Sequence, residues 1–537
     1  MTAVTSTQRR AWPRHALAGP ALLVALGTAL RLWQYGANAS LWADEADMAL
    51  NLVTRSPAEL LAPLQYRQVA AVGWLLAEKA AITVLGDGEL ALRLVPLLAS
   101  LAALPLFAAV ARRTLEPRAA VLALALFALS PTVIFYAAQV KPYASDIAVA
   151  LLLLGGVLEL HRRGAGGGRA ERLGVLGALA VWVSHPTVLL LSGLGSALAL
   201  QAWRARGRPE GGRPVARMLL LWAAGIGVAT LVARRSLTPD DVAYLERFWA
   251  GGFMPMPPRS LRDLVWPLVG LHNVFAGGGL RYPLPGVFSA LAALGALALV
   301  RRSPGLAGVL LAPVGVTLAA SVLHVYPFSG RTLLFLCPVF LLLVALGAEA
   351  LWALRPPRGR WLGGVATTLC AGLAAFALVR NLPPYRPEHV KPLLAAVERA
   401  RQPGDRAYVY YGGEKAFRYY ATRYGLPDET YVVGGCWRDS PRDYLRELDR
   451  FRGAPRVWLL VTHALPALGE DALILGYLDR IGVRRLVYRG SSRERGTGAA
   501  AAYLYDLSSP ARLGQASSDT YAVPPRARAG GRGAWSC

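Results

Sequence analysis

The sequence predicts a polytopic α-helical membrane protein with about eleven transmembrane helices, followed by a C-terminal extracytoplasmic α/β domain. Three observations carry that expectation. Hydrophobic residues make up 54% of the 537 positions and charged residues only 17%, where a soluble chain carries about 25% charged; so few charges cannot cover so much apolar mass in water. The first 380 residues are built from apolar runs of about 20 residues, the length that crosses a hydrocarbon core. After Pro383-Pro384 the pattern changes to short β-type runs alternating with amphipathic helical ones. The same composition excludes a disordered chain, a collagen-like chain and a disulfide scaffold.

The apolar runs lie at 16–35, 90–111, 119–137, 144–160, 173–184, 187–203, 217–233, 283–300, 304–325, 331–352 and 361–379. The stretch 173–203 is divided because both its flanks are basic: Arg162, Arg163, Arg169 and Arg172 before it, then Arg204, Arg206, Arg208 and Arg213 after it. A break at Ser184-His185-Pro186, where proline cannot continue the hydrogen-bond ladder, returns the chain to the side it left. The net charge of +25 divides into +17 over residues 1–380 and +8 beyond. In the first part the arginines cluster in short loops, as the positive-inside rule requires, so the basicity marks topology and not a nucleic-acid partner. An integral inner-membrane protein follows, with a cytoplasmic amino terminus at Arg9, Arg10 and Arg14 and a carboxyl-terminal region outside.

Two outer loops exceed what a connection needs. In the first, 36–89, Ser56-Pro57-Ala58-Glu59 reads as a capping box opening a short helix through Leu64. The second, 234–282, holds Trp249, Phe253, Trp266 and Phe275 among many Pro and Gly residues and reads as an irregular loop covering a cavity or packing over helix ends. In the outer domain, 381–508, strands are expected at 406–411, 430–433, 456–462, 485–488 and 501–507, in a largely parallel sheet. Tyr411-Gly412-Gly413-Glu414 lacks the G-x-G-x-x-G spacing of a nucleotide site. Residues 509–537, rich in Ser, Pro, Arg and Gly, read as a disordered tail. Cys337 and Cys370 fall in spans. Cys436 and Cys537 fall outside, where a disulfide is permitted but not implied.

Chemistry concentrates at the outer ends of three spans. In LWADEADMAL (41–50), Asp44 and Glu45 are adjacent carboxylates that could accept a proton or bind a cation; equally, Ser40 could cap a helix whose positive first turn the acids favour. In FYAAQVKPYASD (135–146), Lys141, Tyr143 and Asp146 surround Pro142 where the third span meets the surface, and ionisable groups at membrane depth are costly. In YPFSGRTLLFLCP (326–338), Tyr326 precedes Arg331, an outer-side arginine against the topological trend, with a planar fork that suits a phosphate. His185 and Arg93 read as packing or helix-end contacts.

With these segments in view, the chain resembles the GT-C membrane glycosyltransferases, in particular the bacterial glycosyltransferase family 39-like group, akin to protein O-mannosyltransferases and aminoarabinose transferases. The resemblance spans 16–380 in architecture and is specific at 41–48, 136–146 and 326–336. It implies transfer of a sugar, hexose or pentose, from a polyprenyl-phosphate donor to a hydroxyl on a lipid, glycan or protein acceptor at the outer face, with inversion. Asp44 matches the family's catalytic or metal-associated aspartate, with Glu45 beside it. Lys141 and Arg331 would bind the donor phosphate, and Tyr143, Asp146 and Tyr326 would line the substrate site. Lys141 stands where many relatives carry Arg. The resemblance also allows a divalent cation, Mg or Mn, at Asp44, although the sequence shows no complete ligand set. The alternative is a transporter or flippase of lipid-linked sugars. That reading calls for ionisable groups near the bilayer midplane, whereas here they gather at one face.

Overall fold

The computed structural model describes residues 18–166, 168–204, 212–465, 468–490 and 500–523. Every apolar run is helical: α1 (Ala18–Gly36), then helices Leu94–Thr114, Pro117–Ala128 with Pro131–Tyr136, Tyr143–Arg163, Arg169–Ala180, Thr187–Arg204, Gly212–Arg235, Pro285–Arg302, Pro304–Val322, the continuous Gly330–Trp352, and Arg358–Arg380. Among the described residues, seven helices are long and apolar enough to cross a membrane, against the eleven expected. The shortfall has local causes. α1 carries Arg31 and Gln34, both buried. The third run breaks at Ser130, whose side chain caps the helix Pro131–Tyr136. The helix Arg169–Ala180 has only 12 residues and ends before the break at Pro186. The amino-terminal arginines Arg9, Arg10 and Arg14 and the flank residues Arg206 and Arg208 lie outside the described residues.

The helix Gly330–Trp352 forms the centre of the bundle, with 94% of its apolar window buried. It meets the helix Pro285–Arg302 through glycine: a Cβ on Gly295 would come within 2.0 Å of the Leu343 carbonyl oxygen, and one on Gly347 within 2.0 Å of that of Leu291. Small residues allow this approach, on which membrane helix packing relies. The helix Gly212–Arg235 instead exposes Leu220, Val228 and Leu231, an apolar face that fits lipid.

The C-terminal region folds around a five-stranded sheet of β1 (Arg406–Val409), β2 (Tyr431–Val433), β3 (Val457–Val461), β4 (Val483–Arg489) and β5 (Ala501–Asp506), in the order β2-β1-β3-β5-β4. The largely parallel expectation is corrected to a mixed sheet. β1 runs parallel to β2 and β3, whereas β5 runs antiparallel to β3 and β4. The helical crossovers that parallel pairing needs are present between β1, β2 and β3, at Glu414–Tyr420 and Pro441–Leu448. Residues 509–523, expected to be a disordered tail, pack on the domain. Pro510–Leu513 is helical, and the Arg452 guanidinium donates to the Leu513 and Ala516 carbonyls at 2.9 and 2.6 Å. Residues 524–537, Cys537 and its pairing with Cys436 included, lie outside the described residues.

Both outer loops differ from expectation in extent. The capping box at Ser56 and Glu59 is formed, with Glu59 accepting the Ser56 N–H at 2.7 Å, but it opens only a single turn, Glu59–Leu61, of which Leu60 is buried and Leu61 exposed. The loop 234–282 carries helices at Pro239–Phe248 and Trp266–Asn273. The C-terminal domain is fixed onto the helical part by polar ties. The Leu41 N–H donates to the Tyr420 hydroxyl at 2.8 Å, Tyr420 donates to Glu89 at 2.9 Å, and Lys391 pairs with Glu89 at 2.8 Å.

Candidate active site

The helix α2 (Ala43–Thr54) packs against the C-terminal domain's helix Glu414–Tyr420, with Asp44 and Glu45 in its first turn. Ser40 does not cap it. Its hydroxyl lies 2.8 Å from His389 Nδ1 and accepts the Lys391 N–H at 2.9 Å. Adjacent positions on a helix point apart, and the two carboxylates accordingly have separate environments. Glu45 is fully buried. It accepts Arg93 Nε and Nη2 at 2.8 and 2.6 Å and the Val140 N–H at 2.9 Å. Arg93 also donates to the Ala39 and Ser40 carbonyls at 2.6 and 3.2 Å, so this pair locks the chain entering α2. Grouping Glu45 with the catalytic candidates is thus at odds with its surroundings, which are those of a structural ion pair. Glu45→Ala would leave a buried, unpaired Arg93. Its expected cost is about 3–5 kcal/mol, read as a lowered Tm of the purified protein, with Glu45→Leu plus Arg93→Met less harmful than Glu45→Ala alone.

Asp44 faces the other way and is clamped between two cations that sequence places far apart. Lys141 Nζ lies 3.0 Å from Oδ1 and Arg331 Nη1 lies 3.0 Å from Oδ2. Burial alone would push the Asp44 carboxyl up; the Arg331 and Lys141 charges overcome it and hold the group down at about 2. Lys141 also donates to Gln68 Oε1 at 2.6 Å. One turn along α2, Asp47 faces the same cluster. Its Oδ1 is buried without a hydrogen bond among the described residues, and burial pushes its carboxyl up to about 6, with Lys141 opposing and Asp44 adding.

Arg331 stands on a 3₁₀ segment, Gly330–Leu336, that leads into the central helix. Gly330 adopts φ +54°, and a Cβ there would meet the Gly278 carbonyl oxygen at 2.9 Å, so glycine is required to turn Arg331 toward Asp44. The Trp249 ring lies 5.5 Å from the Arg331 guanidinium. Tyr326 donates its hydroxyl proton to the Thr332 carbonyl at 2.9 Å and so braces this turn. Tyr143 stacks edge-on against Tyr136 at 4.9 Å. Asp146 is buried, and its Oδ1 has no hydrogen-bond partner among the described residues.

A cavity of about 790 Å³ opens beside the clamp, lined by Trp42, Phe135, Tyr136, Arg331, Arg380 and Tyr385 among others. Trp42 is held in its wall by a 2.7 Å hydrogen bond from Nε1 to Gln139. The fit to a divalent cation is poor. Both Asp44 oxygens already face cations, and no group of three or more His, Cys, Asp or Glu side chains among the described residues could hold a metal ion.

No protein-family model matches the chain, and no curated protein matches it in sequence. Solved structures do. The Archaeoglobus fulgidus oligosaccharyltransferase in the apo form aligns over 91% of this chain and 74% of its own, at 12% identity and a TM-score of 0.48. ArnT from Cupriavidus metallidurans bound to undecaprenyl phosphate aligns over 90% of this chain and 97% of its own, at 13% identity and 0.47. The mycobacterial arabinofuranosyltransferase AftD aligns over 91% of this chain and 41% of its own, at 16% identity and 0.44. At these levels the likeness is one of arrangement, and what the chain does has to be argued from its own residues.

Asp44, Lys141 and Arg331 are brought together. Tyr143 lies near Asp44 and Arg331, Asp146 and Tyr326 lie near Tyr143 rather than at the clamp itself, and Glu45 is diverted to Arg93. Sequence reasoning missed Asp47, Gln68, Glu388 and His463. Only Asp47 had a signal, its i+3 spacing from Asp44, which places both on one helix face.

Proposed function

We propose that the chain transfers a sugar from a polyprenyl-phosphate donor to an acceptor hydroxyl at the outer face of the membrane, with inversion at the anomeric carbon. The observation that carries this reading is the Asp44 carboxylate held between Lys141 and Arg331 at the wall of an aromatic cavity. Two cations around one carboxylate form a ready site for a phosphate, which would compete for both. Arg331 offers a planar fork and Lys141 a point charge. As the phosphate takes the cations, the charges that hold Asp44 down are withdrawn, and its carboxylate becomes a stronger base. Asp44 then removes the proton of the acceptor hydroxyl while that oxygen attacks the anomeric carbon. The bond from that carbon to the phosphate oxygen breaks, and the electron pair leaves with the phosphate. Lys141 and Arg331 stabilise the charge that develops there. The apolar wall of Trp42, Phe135 and Tyr385 suits the first units of the polyprenyl chain.

Purified protein in lipid nanodiscs tests this reading when offered radiolabelled lipid-linked sugars or the corresponding nucleotide sugars. Transfer from the lipid-linked donor alone is expected; transfer from the nucleotide sugar alone would overturn it. We place residues 381–508 and the clamp outside and the amino terminus inside. In a background with Cys436 and Cys537 replaced by Ser, an impermeant thiol reagent on intact cells is expected to label a cysteine at Thr430 but not one at Ala165 or Pro214, because arginines are retained on the cytoplasmic side. Labelling at Pro214 without labelling at Ala165 would remove the paired crossing around Pro186.

A further inference from the structure

We propose that His463, carried by the outer domain, binds the acceptor: its Nε2–H donates to the acceptor molecule while Nδ1 is held by Glu388. This proposal rests on the transfer reading above and adds the residue that receives the second substrate.

The first support is position. β1, β2 and β3 run parallel, so their carboxyl ends share one edge, the edge where open α/β sheets receive ligands. His463 follows β3 at that edge, and there the outer domain meets α2. The second support is a single carboxylate that joins the two parts. Glu388 is 0% exposed. Its Oε2 accepts the N–H of Ala43, the residue that opens α2 and precedes Asp44, at 3.2 Å, and its Oε1 lies 2.5 Å from His463 Nδ1. Thr462 Oγ1 reaches the same carboxylate at 3.5 Å. The histidine and the start of the Asp44 helix are therefore fixed relative to each other through one buried group. With Nδ1 occupied, Nε2 is the ring nitrogen left to a ligand, and the side chain is 31% exposed.

The third support is conformational. His463 adopts φ +55° and Glu388 φ +47°, a region costly for residues with a Cβ, so the surrounding structure holds both partners in place. The groups facing the ring are Glu388, Asp44 and Asp47. Burial lowers the proton affinity of the imidazole, but these three carboxylates outweigh it and raise the group above its ordinary range. The imidazolium therefore persists to higher pH than usual, as a charged donor beside the ionised Asp44. Its hold on an acceptor oxygen is full at low pH and is lost as pH rises through the raised value.

Glu388 and His463 could instead merely staple the domain down, and asparagine and glutamine separate the two roles. His463→Asn keeps a donor near the Nδ1 position, so it retains the contact with Glu388 but offers nothing at Nε2. His463→Gln places an N–H near the Nε2 position. The full chain in nanodiscs is assayed with a panel of radiolabelled polyprenyl-phosphate hexoses and pentoses and with solubilised envelope glycolipid as acceptor. Binding of undecaprenyl phosphate is measured in parallel.

His463→Asn is expected to raise the acceptor KM about tenfold or more, as loss of a charged hydrogen bond does, with undecaprenyl phosphate binding and Tm near wild type. His463→Gln is expected to recover part of that loss, and the rise of acceptor KM with pH should vanish in both variants. Wild-type acceptor KM and pH profile in His463→Asn would overturn the proposal in favour of a staple, as would an equal loss of lipid-phosphate binding and Tm. No transfer by the wild type from any lipid donor would sink the transfer reading itself, and the proposal with it.

Discussion

Asp44→Asn is expected to abolish sugar transfer, by about 10²–10⁴-fold, the contribution of a positioned base. The substitution keeps the shape of the side chain and removes its charge. In the resting protein that charge also neutralises Lys141 and Arg331 at 3.0 Å each. An isosteric amide would be nearly free of stability cost at an exposed position, but Asp44 is only 16% exposed, and its loss leaves two cations facing a neutral group. A drop in Tm should therefore accompany the loss of activity. Undecaprenyl phosphate should restore Tm, because its phosphate replaces the missing negative charge. Asp44→Asn with wild-type turnover would return Asp44 to the role of a helix-start acid, favoured only by the positive first turn of α2.

The second large effect is expected at Arg331. Arg331→Ala should weaken lipid-phosphate binding far more than Arg331→Lys, because lysine keeps the charge but loses the paired donors of the guanidinium. Hydrogen bonds to charged groups contribute about 1.5–3 kcal/mol each, so the alanine variant should bind the lipid phosphate at least tenfold more weakly. Titration of each variant with undecaprenyl phosphate in nanodiscs measures this directly. Equal affinity in wild type and Arg331→Ala would leave Arg331 as a snorkelling residue at a helix end.

Much of this was legible in the sequence, for identifiable reasons. Apolar runs of bilayer length mark helices wherever nothing interrupts them, and each of the expected runs is helical. The expected eleven spans and the seven helices of full bilayer length differ where a single polar residue or a short helix intervenes, as at Arg31, Ser130 and the segment 169–180. The clamp was legible in part because Lys141 and Arg331 are cations away from the arginine-rich short loops, where the charge pattern of the spans disfavours them. The different fates of Asp44 and Glu45 were not legible. Both are acids in one helical turn, and only the position of Arg93, 48 residues on, removes one of them. Glu388 and His463 were hidden for the same reason on a larger scale. Their link to Ala43 spans some 345 residues, and nothing local distinguishes either from a surface residue. The mixed sheet was not legible because a strand pattern alone does not fix direction; the antiparallel pairing of β5 with β3 and β4 does.

The most direct measurement is a structure of the full chain in nanodiscs with undecaprenyl phosphate bound. The expected result is a phosphate between Lys141 and Arg331, the polyprenyl chain along Trp42, Phe135 and Tyr385, and Asp44 released from both cations. A phosphate seated elsewhere, with Asp44 still clamped between Lys141 and Arg331, would contradict the proposed site.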